Sequence, residues 1–191
     1  MQHSHEQSYT LKEYWKLVEL FPDHKYEYID GSIRMMSGGS PAHAQIGANI
    51  VTLLNIALHD SECNVYNSDV KVKLNEQRCY LPDATVSCDP RDWTRPDVLE
   101  SPTVVVEVLS QSTEKVDRTE KLEAYQRYPA MQEILLIDSR RRYVEHYHRV
   151  GVAQWLKSIF EDDHDCIEMS SIDATLYLRD IYRKVYLDTV E

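Results

Sequence analysis

The chain is short of several things, and each shortage removes a class of protein. Of its 191 residues only 5 are glycine and 7 are proline, and there is no internal repeat, low-complexity tract or linker. No apolar run approaches the length that spans a bilayer, and residues 1–10 are polar, without the apolar core of a secretion signal. The four cysteines, Cys63, Cys79, Cys88 and Cys166, include no C-x-x-C pair. Zinc spacing is therefore absent, nothing points to a disulfide framework, and a reducing cytoplasm is the expected location. There is no glycine-rich phosphate loop, which ranks a small-phosphoester hydrolase last among enzymes. Positive charge is also in deficit: 21 Lys and Arg stand against 32 Asp and Glu, a formal net charge of −11. Affinity for a phosphate backbone comes from Lys and Arg displacing counterions, so tight non-specific binding of nucleic acid by the bare protein is disfavoured. A nucleic-acid enzyme is still allowed, because carboxylates that hold a divalent cation count as negative until the metal is bound.

What is present reads as mixed α/β. With 42% hydrophobic and 28% charged residues, the length suits one domain with one sizeable core. We expect that domain to fill residues 1–191, with a core of about 9–150 and a C-terminal strand and helix extension at 151–191. Thirteen Tyr against two Phe favour half-buried aromatic positions with a wet hydroxyl end. Tyr9 to Phe21 reads as an amphipathic helix capped by Thr10. Lys25 to Met36 reads as two strands joined by the turn Asp30-Gly31. After the break at Ser37-Gly38-Gly39, Ser40-Pro41 starts the best-defined long helix, with Ile46, Ile50, Leu53, Leu54, Ala57 and Leu58 at helical spacing. Strands are expected at Val65-Tyr66, Val70 to Leu74 and Glu133 to Asp138, and a more exposed antiparallel pair at Tyr143 to Val150 and Val152 to Ile159. A strand-like piece near Ile172 and a helix or turn around Leu176 to Tyr182 complete the chain.

The chemistry concentrates between Tyr80 and Lys121. Tyr80-Leu81-Pro82-Asp83 leads into the strand-like Ala84 to Cys88, followed by a loop from Asp89 to Pro102. Thr103 to Ser110 is apolar at both parities, the pattern of a strand buried on both faces, and Glu107 sits in its middle. An unpaired buried carboxylate costs several kcal/mol, so Glu107 must be protonated, paired with a cation or bound to metal. The Ser/Thr segment Ser110 to Thr113 then caps a helix that carries Asp117 and Lys121 and runs to about Tyr128. Two carboxylates at the ends of neighbouring strands, with a lysine on the next helix, suit metal-dependent hydrolysis. Magnesium takes oxygen ligands and keeps several waters, held by one or two carboxylates. Asp83 and Glu107 are the candidates for that shell, and Mn2+ is a possible substitute.

These residues resemble a known arrangement. Pro82-Asp83 followed by Glu107-Val108-Leu109 is similar to the PD-(D/E)XK nuclease motif, with Leu109 in place of its final lysine. More closely, the chain resembles the Uma family of restriction endonucleases, the member numbered two. The match is carried by Tyr26 to Gly31, His43, Tyr80 to Asp83, Val106 to Ser110, Ser112-Thr113, Asp117, Lys121, Tyr125 and Gln132 to Asp138, in order from about Tyr9 to Val150. The resemblance implies a restriction-endonuclease-like fold, a mixed central sheet flanked by helices with an N-terminal helix and β-hairpin. It also implies that Lys121, on the helix, supplies the missing lysine, with DNA as substrate and Mg2+ as cofactor. A homodimer is expected, since cutting both strands needs two sites.

Other readings of the same residues stay open. Glu107 with Lys121 also reads as a structural ion pair, and Glu27 as either a further ligand or a cross-strand partner. His43 is read as a supporting, hydrogen-bonded histidine, and Asp117 as a partner of Lys121. His146 and His148 share one strand face but show no third ligand, so exposed strand histidines are expected there. Arg140-Arg141-Arg142 reads as a solvated turn. The alternative to an active endonuclease is a catalytically silent nuclease-fold module that binds nucleic acid or a protein partner.

Overall fold

The structure, a computed structural model, describes residues 8–36 and 38–187. The polar residues 1–7, Ser37 of the expected break, and residues 188–191 lie outside them. Helix α1 (Leu11–Leu20) begins where Thr10 and Glu13 form a reciprocal capping box. Strands β1 (Tyr26–Ile29) and β2 (Ser32–Met35) pair antiparallel. They are joined at Asp30 (φ 47°) and Gly31 (φ 87°), the two left-handed positions that make an Asp-Gly hairpin turn favourable. Helix α2 (Pro41–Ala57) starts on Ser40, whose side chain accepts the His43 N–H, as Pro at its first position anticipates.

The next elements are β3 (Asn64–Asn67), β4 (Lys71–Asn75), β5 (Arg78–Tyr80), β6 (Ala84–Ser87), a short helix α3 (Pro90–Trp93), β7 (Val98–Leu99) and β8 (Val104–Leu109). A helical crossover follows, made of α4 (Glu114–Val116), a π-helical turn (Asp117–Lys121) and α5 (Leu122–Arg127). Then come β9 (Glu133–Asp138), β10 (Val144–Gly151), β11 (Gln154–Phe160), β12 (Cys166–Met169), β13 (Ala174–Tyr177) and α6 (Leu178–Ile181). Six strands form one sheet in the order β11-β10-β9-β8-β6-β3, and five form a second in the order β2-β1-β5-β4-β7. β8 and β9 are parallel neighbours, which requires the crossover between them.

β8 is buried along its whole length, and its two parities face different cores. Val104, Val106 and Val108 pack with Ile46, Ile50 and Leu54 of α2 and with the C-terminal Ile167, Leu176 and Ile181. Val105 and Leu109 pack instead with Tyr125 of α5 and with Ile29 and Tyr80 of the second sheet. Glu107 shares their parity, so the strand's own alternation carries it to the α5 side.

Several expectations are corrected. Cys63 and Cys88 form a disulfide with 4.0 Å between their Cα atoms. They flank the β3–β6 ladder, where Asn64 pairs with Ser87, so one further step of register sets them opposite each other. Loop 89–102 holds α3 and β7, organised around the buried Asp92, which accepts from the Ser87 hydroxyl and from the N–H groups of Glu100 and Ser101. The helix expected to run to Tyr128 is interrupted by the π turn. The strand expected near Ile172 is present as β12 and β13 on either side of the turn that holds Ile172, and the helix expected around Leu176 to Tyr182 is α6. The first half of β10 is buried, not exposed: His146 hydrogen-bonds the buried Glu133 at 2.7 Å, and His148 lies 3.5 Å from the same carboxylate. The charged turn at 140–142 is solvent-exposed as expected, and its arginines also form ion pairs, Arg140 with Asp138 and Glu114, Arg141 with Asp138 and Arg142 with Asp163.

Candidate active site

Asp83 precedes β6, the antiparallel neighbour of β8, so strand pairing alone brings it beside Glu107. Its Oδ2 accepts the Val108 N–H at 2.7 Å and lies 3.4 Å from His43 Nε2 at the start of α2. That carboxylate raises the His43 pKa despite the opposing effect of burial.

Behind Asp83, four charged side chains meet. The Lys121 ammonium lies 2.9 Å from Glu27 Oε1, 3.2 Å from Glu107 Oε1 and 3.3 Å from Asp117 Oδ1. All four residues are at most 3% exposed. Each arrives by a separate route: Glu27 from β1, Glu107 from β8, and Asp117 and Lys121 from the two ends of the π turn. Such turns recur at functional sites. Glu27 Oε1 also accepts the Leu81 N–H at 2.9 Å, tying the hairpin to the segment that leads to Asp83. Its cross-strand neighbour Arg34 pairs instead with Glu120, so the alternative of a simple cross-strand partner for Glu27 is not realised. The Tyr125 hydroxyl donates to Glu107 Oε1 at 2.6 Å.

Electrostatics follow from burial. Glu107 has its pKa raised well above the ordinary value because it is desolvated and has Asp117, Asp83 and Glu27 as like-charged neighbours; Lys121 only partly offsets this. Burial alone would lower the Lys121 pKa, yet the carboxylates of Glu107, Glu27 and Asp117 outweigh it and hold the ammonium charged. The ion pair and the candidate catalytic lysine are thus the same group.

These side chains open onto a cavity of about 690 Å³, lined by Asp83, Glu107, Asp117, Lys121 and His43 and walled by the small face of α2 and by Ser110, Ser112 and Thr113. Among the described residues no three His, Cys, Asp or Glu side chains stand in a ready-made metal cage; the ammonium fills the centre of the carboxylate group. The donor set is nonetheless all-oxygen, and buried Asp117 Oδ1 has no hydrogen-bond partner, its contact with Lys121 being a charge contact only. Oxygen donors of this kind fit magnesium or manganese.

Asp83, Glu107, Lys121, Asp117 and His43 are therefore brought together on the cavity wall, with Glu27 behind them on Lys121, whereas the Arg140–Arg142 turn and the His146–His148 pair fall outside the residues that line the cavity. Sequence reasoning missed Lys25, Asn67 and Ser68 on its wall. It also missed Gly47, where an added Cβ would meet nothing within 4 Å. A glycine inside a good helix was the available signal for that last position.

Comparison with known proteins agrees with this architecture. Two uncharacterized proteins of Synechocystis sp. are similar to the chain. One is 38% identical over 160 residues, covering 83% of this chain and 84% of its own. The other is 32% identical over 164 residues, covering 84% and 92%. A crystal structure titled as a putative nuclease belonging to DUF820, from Anabaena variabilis, matches with a TM-score of 0.75 over 93% of this chain and 99% of that one. At 20% identity this is a likeness of fold, and it bears out the restriction-endonuclease-like mixed α/β expectation. No helix among the described residues is long and apolar enough to cross a membrane. Residues 11–178 match the Uma2 family, described as "Putative restriction endonuclease", and with that match over most of its length the chain belongs to the Uma2 family.

Proposed function

We propose that the chain is a Mg2+-dependent endonuclease that hydrolyses phosphodiester bonds in DNA, with Mn2+ as a substitute ion. The observation that carries this reading is the convergence of Asp83 from the β6 edge and Glu107 from β8 on one open cavity, with Lys121 beside them. Asp83 and Glu107 would hold the cation, with Glu27 as a further ligand. When bound, a divalent cation supplies charge for the phosphate and a water of lowered pKa. The chain's own groups do the rest. Tyr125 fixes the Glu107 carboxylate, His43 orients Asp83, and Lys121 carries positive charge to the phosphate and orients the attacking water. The small face of α2 leaves room for a nucleic-acid backbone. A homodimer belongs to this reading, because cutting two strands requires two sites. A cytoplasmic location also belongs to this reading, although cytosolic thiol reductants would oppose the Cys63–Cys88 disulfide of the folded chain.

A second reading, a nuclease fold that binds nucleic acid or a protein partner without cutting, is favoured by one observation. Cations at the cavity are already neutralised: Lys25 pairs with Asp69 at 2.7 Å, and Lys121 faces three carboxylates.

Calorimetric titration of magnesium and manganese into wild type and Glu107→Ala, with plasmid nicking on the same samples, separates the readings. Binding and nicking that both vanish in the variant support the nuclease. Metal binding without nicking supports the silent module. A wild type that binds neither ion sinks the metal-dependent reading and leaves Glu107 a structural partner of Lys121. Nicking unchanged in Asp83→Ala would remove that residue from the site.

A further inference from the structure

The carboxylate cluster behind Asp83 is unevenly tied. Glu27 Oε1 is held by the Leu81 N–H and Glu107 Oε1 by the Tyr125 hydroxyl, so both have a partner besides Lys121. Asp117 does not: its buried Oδ1 has only the ammonium at 3.3 Å, outside hydrogen-bonding geometry. Both Asp117 and Lys121 line the cavity, so each has open space on one side. Three carboxylates against one ammonium leave an excess of negative charge among side chains that are at most 3% exposed. Such an excess is stable only with a second cation or a bound proton.

We propose that Lys121 is a built-in cation that competes with the divalent metal, and that Asp117 passes from the ammonium to the metal as an additional carboxylate ligand. The exchange rests on the metal-dependent reading above and assigns Asp117 a role beyond pairing with its helix neighbour. It also explains how one lysine serves two purposes. Bound among Glu27, Glu107 and Asp117, it keeps the carboxylates from repelling one another apart. Displaced toward the cavity, it is free to meet a phosphate. The π turn carries both residues, so a small rotation of that turn changes both contacts together. Glu27 stays where it is, because the Leu81 N–H holds it to the strand lead-in. The site thereby resists opening without a cation and admits substrate charge only once metal has replaced the ammonium.

The test uses the full chain, in EDTA and in excess Mn2+, with melting temperature and calorimetric Mn2+ affinity as readouts independent of nuclease activity. Lys121→Met keeps the side chain's length and removes its charge. We expect it to melt well below wild type in EDTA, to recover in Mn2+, and to bind Mn2+ about tenfold more tightly or better, as loss of a competing unit charge a few ångströms away implies. Asp117→Asn keeps the shape and should bind Mn2+ several-fold more weakly while melting near wild type in EDTA. A Lys121→Met chain that gains no Mn2+ affinity, or that stays unfolded in both EDTA and Mn2+, would overturn the exchange. Unchanged Mn2+ affinity in Asp117→Asn would remove Asp117 from the metal. If wild type binds Mn2+ and these variants behave otherwise than expected, only this inference fails; if wild type binds no Mn2+, the metal-dependent reading fails with it.

Discussion

Tyr125 and Tyr80 offer a controlled comparison. Both are fully buried, and their rings meet edge to face at 5.4 Å. Only their hydroxyls differ in circumstance: Tyr125 donates to Glu107 Oε1 at 2.6 Å, whereas the Tyr80 oxygen is buried with no hydrogen-bond partner. Tyr125→Phe keeps the ring and its packing but leaves a buried carboxyl oxygen short of a donor. That oxygen keeps the Lys121 ammonium at 3.2 Å, so the cost is the loss of one hydrogen bond to a carboxyl group, about 1–3 kcal/mol. For a chain of this size each kcal/mol moves the melting temperature by about 2–4 °C, so Tyr125→Phe should melt about 2–12 °C lower. Tyr80→Phe removes a polar atom that has nothing to bond, so it should be neutral or stabilising by about 1 kcal/mol. Thermal unfolding followed by circular dichroism, in EDTA at neutral pH, reads both. Equal shifts in the two variants, or a larger loss in Tyr80→Phe, would show that the hydroxyl on Glu107 carries no stability and would refute the account of how that carboxylate is fixed.

Three further outcomes follow from the geometry. The Cys63–Cys88 bond closes a sequence separation of 25 residues, so under oxidising conditions Cys63→Ser should lose about 3–4 kcal/mol of stability; identical urea midpoints with and without reductant would contradict this. For Glu133, the His146 and Ser171 contacts outweigh burial and hold the pKa below its ordinary 4.5. Glu145 is likewise lowered, with Tyr147, Arg118 and Lys157 outweighing burial. A depressed folded pKa stabilises above the unfolded value, so urea midpoints should hold above about pH 4.5 and fall as pH drops further, less steeply in Glu133→Gln; a flat profile would sink the point. Gly47→Ala should raise the melting temperature, because a mid-helix glycine costs about 0.5–1 kcal/mol relative to alanine and the new methyl meets nothing within 4 Å; a lower melting temperature would mean that α2 needs the glycine.

Local rules settle a great deal before any tertiary contact exists. Thr10 with Glu13, Asp30-Gly31 and Ser40-Pro41 mark their element starts and turns by chemistry confined to a few residues. The double-parity apolar run around Glu107 identifies a strand buried on both faces and a carboxylate that needs a partner. The order of Asp83, Glu107 and Lys121 along the chain was enough to name the candidate site. The Glu107–Lys121 pair was legible as one reading, but the Tyr125 hydroxyl on Glu107 and the approach of Glu27 to the same ammonium were not, because they come from other elements. Nor was the burial of His146, since Glu133 meets it only across the β9–β10 ladder, or the Cys63–Cys88 bond, which depends on the register of β3 against β6. The π turn is likewise invisible to a search for helical period. Hydrophobic period and capping are short-range and survive in the sequence as pattern; pairing between distant carboxylates, cations and thiols depends on which strands become neighbours, and only the folded chain decides that.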